Sequence, residues 1–198
     1  MDLTTRQRQI VEAALDIVAA DGIQALTVKN ISQRVGFRES AIYRHFRNKT
    51  AILYAIADIF ERHSETTLET ISHTDLPALE KIKAFFLDRC RTFASDKTVT
   101  TVMFSDEIFR EVPELSAKIM AIIDTHQRFL VQIIRQGQRA GEVIGLQPMH
   151  LFMIIMGPLR LLVTQWQASG YGFDLLAEGQ RVWASIAVVI ARPAPEGE

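Results

Sequence analysis

The sequence predicts an all-α fold, in which a three-helix N-terminal helix-turn-helix domain is joined to a larger helical domain, about nine helices in all. Three observations support this prediction. Apolar residues recur at spacings of three and four almost throughout, no alternating strand pattern is sustained, and the breaks are short and polar or contain Gly or Pro. With 198 residues, 48% hydrophobic and 23% charged, the chain can bury a core without a disulfide or metal staple.

The first two helices are marked by residues at their ends. Thr4 or Thr5 begins the first helix, which ends near Gly22. The second extends over Thr27–Val35, with Thr27 as N-cap and Gly36 providing the left-handed backbone after its last turn. A third short helix, roughly Glu39 to His45, would bury Ile42 and Phe46, and Asn48 would cap a long fourth helix.

Five helices are expected in the remainder of the chain. A polar break at 72–75 precedes the fifth, and a short aromatic helix covers Val102 to Phe109. Pro113 starts a helix of about 27 residues that stops at Gly141. The last two helices extend from Pro148 to Trp166 and over residues 173–191, before a tail at 193–198.

Composition and charge narrow the class of protein. The single Cys90 cannot form an intramolecular disulfide or a multi-cysteine zinc site, which suits a reducing cytoplasm. The start is polar, and the longest apolar run, Leu151 to Leu159, falls short of the ~20 residues that span a membrane, so we expect a soluble, cytoplasmic protein. Residues 1–50 hold eight basic and five acidic side chains, and the remainder holds 14 and 18, which favours a polyanionic partner for the N-terminal part only.

The second and third helices, with the turn Gly36-Phe37-Arg38, have the form of a helix-turn-helix. Burial of Ile42 and Phe46 would leave Glu39, Ser40, Ala41 and Arg44 facing the base edges of the major groove. Arg44 could form a bidentate pair with guanine, and Ala41 could pack on a thymine methyl. Glu39 would be repelled by phosphates unless it accepts from a cytosine amine.

The segment Leu26 to Leu53 resembles the TetR family of bacterial transcriptional regulators. It contains Thr27-Val28, Val35-Gly36, Ile42-Tyr43-Arg44-His45-Phe46 and Asn48-Lys49 in the family's register. The resemblance implies that Thr27, Tyr43, His45 and Lys49 contact phosphates. Ser32 replaces the family's usual Ala, and Arg38 replaces the usual capping Ser or Thr, so Arg38 is expected to reach phosphate. The full set of expected DNA-binding residues is Thr27, Lys29, Arg38, Glu39, Ser40, Ala41, Tyr43, Arg44, His45 and Lys49.

The resemblance also implies a DNA-binding domain at 1–47, an effector-binding and dimerisation domain at 48–192, and a homodimer formed by the last two helices. These helices are apolar on more than one face, which independently favours an interface. The expected interface residues are Leu151, Ile155, Leu159, Leu162, Val182, Ile186 and Val189.

The middle helices would enclose an effector pocket, as the resemblance implies. The expected lining is Phe86, Cys90, Phe93, Met103, Phe104, Ile108, Phe109, His126, Phe129, Phe152 and Trp166. An aromatic, methionine-rich wall suits a hydrophobic or planar effector, with His126 or Arg160 to orient it. The alternative is that these aromatic residues are plain core.

The function expected from the sequence is a repressor that a small hydrophobic or aromatic effector releases from a pseudo-palindromic operator. The alternative is a DNA-binding protein of the same fold whose body binds a protein partner. No cofactor is expected, and none of the Gly-rich phosphate loop, HExxH and GxSxG motifs of enzymes is present. Asp106, Glu107, Asp124 and His126 would form a metal site only if they converged, and the spacing of the last two points them to different faces.

Overall fold

The structure is a computed structural model that describes residues 3–104 and 112–193, with every side chain except those of Ala19 and Thr98. These residues form nine α-helices and one short 3-10 helix, Ile23–Ala25, with no β-strand, which confirms the predicted all-α fold. The helices are α1 Thr5–Asp21, α2 Val28–Val35, α3 Glu39–Tyr43, α4 Lys49–Ser72, α5 Ala78–Ser95, α6 Lys97–Met103, α7 Pro113–Arg139, α8 Pro148–Ala168 and α9 Leu175–Ile190.

The helix ends follow the predicted capping residues. Thr4 and Gln7 form a capping box at the start of α1, and the Thr27 hydroxyl accepts from the Asn30 amide at 3.1 Å. Asn48 accepts from the Ala51 amide at 2.9 Å at the start of α4. Helix α6 begins at Lys97, earlier than predicted, because Asp96 caps it through the Val99 amide at 2.9 Å. The predicted aromatic helix extends to Phe109, which lies outside the described residues.

The chain forms two compact units, of which the first comprises Met1–His63 and Asp96–Ile122. In this unit α1 packs against α2 and α6, with Ile10, Ile31 and Val102 fully buried. Lys118 on α7 bridges Asp58 and Glu61 on α4, at 2.7 and 2.5 Å. The short helices α2 and α3 are therefore fixed to a hydrophobic core that they could not form alone.

The second unit comprises Ser64–Ser95 and Ile123–Glu198. Here α5 packs against α8 and α9, and the two C-terminal helices pack against each other. A close approach of α5 and α9 depends on Gly179, where an added Cβ would lie 2.6 Å from the Cys90 Sγ. Both α4 and α7 begin in the first unit and end in the second.

Helix α8 is long and apolar enough, by length and composition alone, to cross a membrane. It also contains Pro158 and the charged Arg160. Leu151, Ile155 and Val163 on this helix are buried against the rest of the second unit, as expected for a core helix.

Candidate nucleic-acid interface and effector region

The turn between α2 and α3 has the geometry of a helix-turn-helix. Gly36 adopts a left-handed backbone with φ of 70°, which only glycine does at little cost, and the Phe37 amide donates to the Ser32 carbonyl at 2.9 Å. Arg38 precedes α3 without any side-chain cap, as the sequence predicted. The turn thereby sets the direction of α3 relative to α2.

Helix α3 buries one face and exposes the other. Ile42 is completely buried and Phe46, three residues after the helix, is nearly so, whereas Ser40 and the C-cap Arg44 are exposed. A surface depression of about 460 Å³ lies along the exposed face, lined by Phe37, Arg38, Ser40, Ala41 and Arg44. Two guanidinium groups and a hydroxyl in one depression suit hydrogen-bond acceptors on an anionic partner.

The other residues expected to bind DNA lie at the surface of the first unit. Thr27, Lys29, Glu39 and Lys49 are exposed, and the Tyr43 side chain is 52% exposed. His45 is half-buried. The Thr27 hydroxyl accepts a hydrogen bond as the N-cap of α2, and its own proton remains a donor for an external oxygen.

A cation–π contact that the sequence analysis missed joins α1 to the turn. The Arg6 guanidinium lies 4.8 Å from the centre of the Phe37 ring. No periodicity relates two residues that are so far apart in the chain. Only the presence of an aromatic residue within the turn, beside Arg38, could have suggested that a cation such as Arg6 packs on this ring.

The predicted effector residues are distributed over both units. Met103 and Phe104 belong to the first unit, and Phe86, Cys90, Phe93, His126, Phe129, Phe152 and Trp166 belong to the second. Phe104 and Phe129 are half-buried and the other seven are buried. Ile108 and Phe109 lie outside the described residues.

Two groups of these residues come together in the second unit. On one side of α5, Phe86 contacts Trp183 with ring centres 5.8 Å apart, and Cys90 packs against Gly179. On the other side, Phe85 contacts His126 at 5.3 Å and Phe129 at 5.9 Å.

Trp166 has a role in a turn. Its Nε1 donates to the Phe173 carbonyl at 2.9 Å, and its ring meets Tyr171 edge to face at 4.7 Å. These contacts give the indole a structural function at the end of α8.

A buried polar cluster on α5 was not predicted. The guanidinium of Arg89 is almost fully buried, donates to Asp88 and Ser64, and lies 5.4 Å from the centre of the Phe85 ring. Burial lowers the pKa of Arg89, opposed by Asp88. Arg89 stands three residues after Phe86, within the apolar stripe of α5. That position could have indicated that the arginine is buried.

Two further groups in this region have shifted pKa values. Burial, together with the nearby positive charge of Arg89, lowers the pKa of His126 to about 3. Burial raises the pKa of the Cys90 thiol to about 12, so the thiol is protonated at neutral pH and has little nucleophilic character. The other suggested polar group, Arg160, is exposed.

The suggested metal ligands do not converge within the described residues. Asp124 is exposed and pairs with Arg128 at 2.9 Å, whereas His126 is buried against Phe85. Asp106 and Glu107 lie outside the described residues.

The predicted interface residues divide into two sets. Leu151, Ile155, Leu159, Leu162 and Ile186 are buried within the chain itself and leave little surface for a partner. Val182 is half-buried and Val189 is exposed. The large apolar residues exposed on these two helices are Met153, Leu161, Val188 and the predicted Val189.

A second surface depression, of about 530 Å³, follows α7 in the second unit. Its lining is Gln127, Arg128, Val131, Gln132, Arg135, Gln136, Arg139 and Met149. Its three arginines are exposed.

Two models of protein families match the chain, one over its N-terminal part and one over most of the remainder. The model of the bacterial regulatory proteins of the tetR family matches residues 10–56, and that of the YsiA-like C-terminal region matches 59–189. The fatty acid metabolism regulator protein of Bacillus subtilis is 28% identical over 175 residues, which are 85% of this chain and 87% of that protein. The nucleoid occlusion factor SlmA of Vibrio vulnificus is 22% identical over 190 residues, 94% of this chain and 96% of its own.

A solved structure also matches nearly the whole chain. The transcriptional regulator FadR from Bacillus subtilis, in complex with stearoyl-CoA, has a TM-score of 0.77 and 26% identity, covering 91% of this chain and 97% of that one. Together with the family models and the geometry of α2 and α3, this similarity identifies a DNA-binding transcriptional regulator. The chain belongs to the tetR family of bacterial regulatory proteins.

Proposed function

We propose that the protein is a cytoplasmic repressor that binds a pseudo-palindromic operator as a homodimer and is released by a hydrophobic effector. The observation that carries the proposal is the segment formed by α3 and the residues directly after it. It buries Ile42 and Phe46 and exposes Ser40 and Arg44 along an open depression. Such a helix offers side chains to the edges of bases in a major groove.

Base reading and phosphate positioning fall to different residues in this proposal. Arg44, Ser40 and Ala41 read base edges, since they line the depression from α3 and its C-cap, whereas Arg38 precedes the helix. Thr27, Lys29, Arg38, Tyr43, His45 and Lys49 hold the backbone. Lys49 acts by its charge with the amides in the first turn of α4.

A pair of substitutions tests this division of roles. Arg44→Ala should relax the preference for the operator over other duplexes, by about 1–3 kcal/mol of discrimination. Lys49→Ala should weaken all duplexes about equally and lower the salt dependence by about one ion. Lys83→Ala, on α5 of the second unit, is the control and should change neither quantity. Equal loss on every duplex for both DNA-facing variants would contradict the division.

Homodimerisation is assigned to the exposed apolar residues of α8 and α9. Met153 and Leu161 on α8 are 61% and 59% exposed, and Val188 and Val189 on α9 are 83% and 56% exposed. Large apolar side chains at this exposure on two packed neighbouring helices favour coverage by a second copy.

The effector to test first is a long-chain acyl-CoA. Support comes from the 28% identical fatty acid metabolism regulator and from the similar FadR structure that holds stearoyl-CoA. The buried aromatic residues of the second unit, which contact one another around Phe85 and Phe86, would give an acyl chain apolar walls. The effector would favour a conformer whose recognition helices miss successive major grooves, with α4 transmitting the change. Nearly complete switching needs a differential affinity of about 10⁴.

Release from DNA tests the effector. Palmitoyl-CoA should dissociate the protein from its operator at concentrations at which hexanoyl-CoA does not, because the longer chain buries more apolar surface. Equal effects of both thioesters, or none, would contradict the proposal.

A protein partner is the second candidate, favoured by the similarity to SlmA over 94% of the chain. Under this alternative no acyl compound releases the operator. A protein that forms a stable ternary complex with the DNA-bound dimer would then support it.

A further inference from the structure

We propose that the depression along α7 binds the phosphate groups of a coenzyme A thioester, through Arg128, Arg135 and Arg139. This inference deepens the proposed acyl-CoA response and rests on it. It assigns the polar end of the effector to an exposed basic groove on the second unit, outside the apolar core.

In the C-terminal part of α7 all the charged side chains are basic, and they lie on one face of the helix. Between Asp124 and Glu142 the chain contains three arginines and no acidic residue. At 100° per residue the three arginines lie within about 20° of a single line along the helix. Arg128 and Arg135 are about 10 Å apart along the axis, and Arg139 follows one turn later.

The positive charges of the arginines in this groove are only partly neutralised by acidic side chains. Within the described residues Arg128 pairs with Asp124 at 2.9 Å, but no ion pair or side-chain hydrogen bond involves Arg135 or Arg139. Like charges four residues apart repel each other, which an anionic ligand would relieve. The negative C-terminal end of α7 favours a cation at Arg139, but this effect fades within the last turn and does not account for the other two.

The remaining lining suits a nucleotide better than a bare anion. Gln127, Gln132 and Gln136 provide amide donors and acceptors, and Val131 and Met149 provide an apolar wall. A volume of about 530 Å³ accommodates a ligand of small-molecule size. Coenzyme A carries phosphates at two separated positions, a diphosphate and a ribose 3′-phosphate, and its adenine has an apolar face and polar edges that such a lining would suit.

One aromatic residue of the predicted effector region stands next to a groove residue in the sequence. Phe129 follows Arg128 in the sequence and contacts Phe85, which in turn contacts His126 and Arg89. Groove and aromatic group both lie in the second unit, whereas the DNA-facing residues Thr27 to Lys49 lie in the first. The basic groove is therefore assigned to the effector and not to the operator.

The test uses the double variant Arg135→Gln/Arg139→Gln, with Arg91→Gln, an exposed arginine of α5, as the matched control. Operator release is measured with palmitoyl-CoA and with palmitate. We expect the double variant to need at least about tenfold more palmitoyl-CoA for half-release, with its response to palmitate and its operator affinity unchanged. The control should match the unmodified protein.

Direct binding separates this inference from the proposed function. Calorimetry of free coenzyme A without DNA should show binding that weakens with salt and is lost in the double variant. If palmitoyl-CoA does not release the unmodified protein but coenzyme A binds the groove, the proposed function fails and the site stands. Unchanged coenzyme A binding in the double variant, no binding to the unmodified protein, or a loss of operator affinity in the double variant would overturn the site.

Discussion

At the scale of single residues, the close contact between α5 and α9 gives a prediction about packing. Gly179→Ala would place a Cβ 2.6 Å from the Cys90 Sγ and 3.2 Å from its Cβ, so side chain or backbone must shift. We expect the free energy of unfolding to fall by about 1–3 kcal/mol.

The control and the rescue both come from this chain. Gly145→Ala, whose Cβ would meet nothing within 4 Å, should change stability little. Adding Cys90→Ala to Gly179→Ala should cost less than the two separate changes together, because the sulfur is no longer present to clash. Additive losses in denaturant unfolding would show that the two positions are not in contact.

The burial of His126 predicts a pH dependence of stability. Its pKa is about 3 in the folded protein and about 6.5 when unfolded, so below pH 6.5 the unfolded state binds the additional proton. Stability contributed by the neutral ring is therefore complete above about 6.5 and is lost as the pH falls toward 3. The slope approaches about 1.4 kcal/mol per pH unit.

Substitution isolates this histidine from the others. His126→Gln should remove the slope between pH 6 and 4.5 that this group contributes, whereas His73→Gln, at an exposed position, should retain it. Identical pH profiles of the free energy of unfolding for His126→Gln and the unmodified protein would contradict the assignment.

Residue chemistry also limits what the sequence reveals about the site. Thr27 and Asn48 were predictable as caps because their side chains act on amides only three residues away. Arg89 was not, because its Ser64 partner is 25 residues away on α4 and a single arginine leaves an apolar stripe recognisable. Long-range partners are set by tertiary packing, which one sequence does not encode locally.

At the scale of helices, α8 shows where periodicity stops being informative. A helix that is apolar on one side indicates which face is buried, as Ile42 and Phe46 do for the third helix. Helix α8 is apolar on several faces, so the sequence could not separate Leu151 and Ile155, which are buried, from Met153 and Leu161, which are exposed. The helix was predictable and its orientation was not.

If the exposed apolar residues of α8 and α9 form the dimer interface, a single charge introduced among them should weaken the dimer. Val188→Asp should weaken dimerisation by at least roughly tenfold, since a carboxylate would be buried against a second copy. Light scattering during size-exclusion chromatography measures the mass. Leu146→Asp, at a position that is 48% exposed between α7 and α8, is the control and should leave the dimer intact. A Val188→Asp protein that stays dimeric would place the interface elsewhere.

At the scale of the whole molecule, the order of helices could be predicted from the sequence. The proposed assignment of DNA binding to the first unit and effector binding to the second is argued from charge. Basic residues concentrate in the first fifty positions, where α2 and α3 lie, and the α7 groove is a further basic surface in the second unit. The sequence analysis saw the first because net charge by segment shows it. It missed the second because acidic residues elsewhere in the body outweigh three arginines.

The most direct test of the central claim is a selection of random DNA duplexes by the purified protein at physiological salt. The account predicts recovery of an inverted repeat with half-sites about 34–36 Å apart or a simple variant of that spacing, and loss of base preference with Arg44→Ala. Recovery of no motif, with binding that disappears as salt rises, would contradict it, because the N-terminal unit would then only hold the DNA backbone.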